Sequence, residues 1–71
     1  MIISTMTFEN GYTATIFKGQ FDTRLGTADY MVQISRGKFA DGVAYCFTEE
    51  AAFEHAADTR KMDARMPSFA I

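Results

Sequence analysis

Two side chains in this sequence suit nucleophilic catalysis, and each is the sole residue of its type: Cys46, whose thiolate would attack, and His55, whose imidazole would take the proton. Such a pair works only within hydrogen-bond reach. On a helical wheel His55 falls off both the apolar stripe and the charged face, and Cys46 stands in a strand next to core residues. The expectation is a structural thiol and a surface histidine, with no catalytic residue and no enzyme. No phosphate-cradling loop is encoded, because the five glycines, at 11, 19, 26, 37 and 42, are scattered among turns.

The carboxylates are the remaining chemistry. In TEEAAFEHAADTRK, residues 48 to 61, Glu49, Glu50, Glu54 and Asp58 all precede the first basic residue. As an acid–base pair they would need a pocket to split their pKa values, and one helix on a small sheet leaves little volume for it. As metal ligands they would offer oxygens in a line along one helix without an enclosing loop, so neither a metal nor another cofactor is expected. Glu49 and Glu50 are explained by the helix macrodipole, which stabilises a first-turn carboxylate by about 0.3–1 kcal/mol. That effect does not reach Glu54 or Asp58. Glu50, Glu54 and Asp58 stand at successive i, i+4 positions and repel by about 0.2–0.5 kcal/mol per adjacent pair, an effect that Lys61, at i+3 from Asp58, offsets in part. Glu54 has no basic neighbour at i±3 or i±4. An ordinary solvated face carries this cost, and so does a contact surface. Carboxylates about 6 Å apart along a helix also match the spacing of successive phosphates, so the row suits a basic groove built for nucleic acid.

These side chains need elements to hold them. Ile2 to Phe8 and Tyr12 to Phe17 are rich in β-branched and large apolar residues, and Asn10-Gly11 between them suits a type I′ turn, giving strands at about 2–8 and 12–18. Residues 19–28, GQFDTRLGTA, read as a longer connection or a ragged strand extension. Asp29 to Ser35 alternates as a half-buried strand ended by Arg36-Gly37, and Asp41-Gly42 precedes a fourth strand at 43–47. Thr48 is a good N-cap, and an amphipathic helix follows, with Ala52, Phe53, Ala56, Ala57 and Ala64 on one side and Pro67 as its stop at the latest. Phe69 and Ile71 suggest a tail docked on the core.

The fold class that follows is α+β: an antiparallel meander of three to four strands covered on one face by a single C-terminal helix, residues 1–71 making one domain. The shared buried side is expected to hold Met6, Phe8, Tyr12, Ala14, Ile16, Tyr30, Val32, Ile34, Tyr45, Phe47 and Phe53. Thr5, Thr7, Thr13, Thr15, Gln33 and Ser35 face water. A one-residue slip would exchange the two sets, so the register of the first hairpin should be firm.

Composition narrows the class of function. Hydrophobic residues at 48% argue for a folded domain. A single cysteine allows no internal disulfide and suits a reducing compartment, and no signal peptide or membrane span is read. A net charge of -2 argues against direct nucleic-acid binding, which draws its affinity from Lys and Arg.

The chain as a whole, from MIISTMTFENGYTATIF through DYMVQISRG to YCFTEEAAFEHAADTRK, resembles small phage-encoded anti-CRISPR proteins, and among them inhibitors of type I-C Cascade. The resemblance implies a non-enzymatic monomer that binds a Cascade subunit in the host bacterial cytoplasm and blocks recognition of target DNA. It also implies acidic side chains presented to a DNA-binding groove, a role that falls on Glu50, Glu54 and Asp58, with Glu49 and Asp22 beside them. A second class of function is a small phage structural or assembly protein that associates through a strand edge or through Phe21, Leu25 and Phe39.

Overall fold

A computed structural model describes residues 1–62 of the chain. Four strands, β1 (Ile2–Thr7), β2 (Tyr12–Thr23), β3 (Gly26–Arg36) and β4 (Phe39–Cys46), form one antiparallel sheet in the order β1-β2-β3-β4. Helix α1 (Glu49–Asp58) follows, and a single 3-10 turn, Thr59–Lys61, ends it. This is the α+β meander with one covering helix that the strand and helix signals predict. Ala64, the expected stop at Pro67 and the expected docking of Phe69 and Ile71 lie outside the described residues.

The first hairpin keeps the expected register, Thr7 opposite Thr13 and Met6 opposite Ala14. Its turn is not type I′. The Gly11 N–H donates to the Phe8 carbonyl at 3.0 Å, Gly11 alone takes a positive φ (+90°), and Asn10 does not. That is the arrangement of a longer hairpin loop closed by a glycine bulge. Asn10 has a different task. Its Oδ1 accepts from the Tyr12 N–H, and its Nδ2 donates to the Thr59 and Met62 carbonyls at 3.0 and 2.9 Å. One side-chain amide thus clips the first turn to the end of the helix, as a second donor to the Thr59 carbonyl, which also accepts from the Met62 N–H, and as a donor to that of Met62.

Residues 19–28 are strand and turn rather than a loose connection. β2 and β3 run on past a bulge between Lys18 and Phe21 to a tight tip at Arg24 and Leu25, where the Thr23 hydroxyl accepts from the Leu25 N–H and donates to the Gly26 carbonyl. β4 also begins earlier than its composition suggests. Asp41-Gly42 lies inside the strand as a bulge, with Ala40 opposite Ser35 and Gly42 opposite Ile34, and Phe47 falls beyond its end.

The core is Tyr12, Ala14, Ile16, Ala28, Tyr30, Val32, Ala52 and Ala56, with Ile3, Met6, Phe8, Ile34 and Cys46 packed against it. Tyr45, Phe47 and Phe53, expected inside, are 48%, 47% and 37% exposed. The pairing gives the reason: Tyr30 faces Cys46 and Val32 faces Ala44, so the inward parity of β4 belongs to its small residues and Tyr45 points away from the helix. The helix meets the sheet through Ala52 and Ala56, and Tyr12, Ile16, Tyr30 and Val32 already fill the space on that face. Thr13, Thr15, Gln33 and Ser35, expected in water, are half-buried on the outer face.

Candidate functional site

The helix positions the carboxylates as its sequence dictates. Thr48 is its N-cap, extended in backbone, with Oγ1 accepting from the Ala51 N–H at 3.1 Å. Glu49 and Glu50 occupy the first turn, and Glu50, Glu54 and Asp58 are all exposed along the helix. Lys61 Nζ lies 3.6 Å from Asp58 Oδ1, the i, i+3 pair read from the sequence, with both groups in water and the pair correspondingly weak. It is the one ion pair among the described residues, and Glu50 and Glu54 have no such partner there. Asp22 is not part of this row. It stands on the far arm of the β2–β3 hairpin, opposite Thr27.

Cys46 and His55 line the same hollow, beside Ala51, Glu54 and Asp58. No hydrogen bond joins them. Burial pushes the Cys46 thiol up from its ordinary range, which is the reverse of what a nucleophile needs. Within the described residues no group of three or more His, Cys, Asp or Glu could hold a metal ion.

The sequence reading missed the seam between β4 and α1. Three adjoining hollows of about 320, 210 and 250 Å³ run along it, and His55 lines all three. Ile34 and Ala44 give it an apolar floor, and Asp41, Glu54 and Asp58 are its acids. The helical spacing of Glu54 and Asp58 was legible. Asp41 was not, because Asp-Gly reads as a turn until the bulge in β4 is known. A second surface is apolar: Leu25, Tyr45 and Phe47 border a groove of about 460 Å³, and the Phe21 ring stands 5.9 Å from that of Tyr45. Leu25 and Phe39 are 87% and 72% exposed.

No family model matches the chain, no curated protein matches its sequence, and no solved structure matches its fold. No helix among the described residues is long and apolar enough to cross a membrane.

Proposed function

We propose that this chain is a non-enzymatic inhibitor that binds the type I-C Cascade of a bacterial host and blocks its recognition of target DNA. The observation that carries the reading is the exposed row Glu50, Glu54 and Asp58, in which two of the three carboxylates have no ion-pair partner among the described residues. A repulsive row of this kind gains from a basic surface on a partner, such as a groove evolved to hold phosphates. The resemblance to small anti-CRISPR proteins supports the choice of partner, and the cytoplasm of the host is where such a partner is met. The upward push that burial gives the Cys46 thiol supports a role in binding over one in catalysis.

The test is a gel shift of type I-C Cascade on target duplex with this protein added before the DNA. The expected result is loss of the shift and co-elution of the protein with the complex. Glu50→Lys combined with Glu54→Lys weakens inhibition while the circular dichroism spectrum is unchanged. Full inhibition by that variant removes the helix face from the mechanism. An unaltered shift with no co-elution removes Cascade as the partner. The exposed Leu25 and Phe39 favour a second reading, an assembly protein of a phage particle, and capture by a virion component in place of Cascade is the result it requires.

A further inference from the structure

We propose that the seam between β4 and α1 docks a basic, apolar segment of a partner protein, a lysine or arginine head meeting Asp41, Glu54 and Asp58 while its methylenes lie over Ile34 and Ala44. This rests on the reading of the chain as a binding protein, and it names the chemistry of what is bound.

Charge decides the sign of the occupant. Asp41, Glu54 and Asp58 all line the seam, and among the described residues no lysine or arginine lines any of its three hollows. Lys61 pairs with Asp58 from the solvent side. Unmet hydrogen bonding is an independent observation. Asp41 Oδ2 and Thr59 Oγ1 are both buried without a hydrogen-bond partner, and Thr59 is only 2% exposed while lining the hollow it shares with His55 and Asp58. Buried oxygens without donors cost stability until a donor arrives, and a lysine head brings three N–H groups, an arginine five. The apolar floor at Ile34 and Ala44 excludes a bare ion as the best occupant and suits a long aliphatic stem with a charged end.

The experiment uses the full, isotope-labelled chain and a short peptide of alternating lysine and valine, with its glutamate-for-lysine counterpart as control. Saturable amide shifts confined to Asp41–Cys46 and His55–Met62, given by the lysine peptide alone, are the expected result. Asp41→Asn weakens binding roughly tenfold, the loss of one charge-assisted hydrogen bond. Glu54→Gln with Asp58→Asn, both on the exposed helix, weakens it further and flattens its salt dependence without threatening the fold. Equal shifts at Glu9 and Asp22, or an Asp41→Asn variant that binds as before, would reduce the effect to general charge attraction and overturn the site. Concentration-dependent shifts at the same residues without peptide would assign the seam to a second copy and overturn it too. If the peptide binds as expected while Cascade does not co-elute, the inhibitor reading falls and the site stands; Cascade captured equally well by Asp41→Asn has the opposite meaning.

Discussion

Cys46 shows how one residue's surroundings decide its chemistry. It projects from β4 toward the helix, and burial disfavours its thiolate, so the folded thiol titrates above the ordinary range while the unfolded chain titrates within it. The unfolded state therefore gives up this proton first as pH rises. The stabilisation is complete below the ordinary thiol pKa and is lost as pH climbs through the raised folded value. Chemical denaturation of the native chain and of Cys46→Ala, compared across that window, should show a steeper decline for the native chain. The place of Cys46 beside core residues was legible in the strand that carries it. The two donations by Asn10 were invisible for a different reason: their acceptors, Thr59 and Met62, are 49 and 52 residues away, and no local pattern records a contact of that range.

At the scale of elements, helix and strand were legible wherever one period ruled. Thr48 with Glu49 and Glu50 marked the helix start, and the alternation of Tyr12, Ala14 and Ile16 fixed the inner face of β2. β4 was read with the wrong face inward because Val43, Tyr45 and Phe47 are the larger set of its alternating residues. Size favours burial only where there is space, and the helix settles that space by docking through Ala52 and Ala56. Ala56→Leu should then lose about 1–3 kcal/mol by overpacking against the sheet, measured as a fall in the urea midpoint with unchanged slope. A variant as stable as the native chain would mean that the helix rides higher than its alanines imply. The bulges at Lys18/Phe21 and in β4 were not legible, since an extra residue in a strand leaves the composition of that strand unaltered.

For the whole molecule the open question is association, because a four-stranded sheet has two edges and β4 carries exposed Phe39, Val43 and Tyr45. Asp41 at the bulge guards that edge, since a charge and a local kink both oppose continuation of the ladder into another chain. The native chain should sediment as a monomer at all concentrations, and Asp41→Val should show concentration-dependent association; a variant that stays monomeric would show that the guard lies elsewhere. The clip at Asn10 bears on how the molecule ages. A glycine after an asparagine lets its own nitrogen close on the side-chain carbonyl and release ammonia, and here that nitrogen is bound to Phe8 while the amide is held by Thr59 and Met62. Only molecules whose helix end has let go of the hairpin can react. Water then opens the cyclic imide to aspartate or isoaspartate, which has no side-chain N–H for either carbonyl and sets a negative charge against both, so each molecule that reacts opens more readily thereafter. The chain carries in one residue a chemical clock, and the rate of ammonia loss reports how often the fold comes undone at that corner.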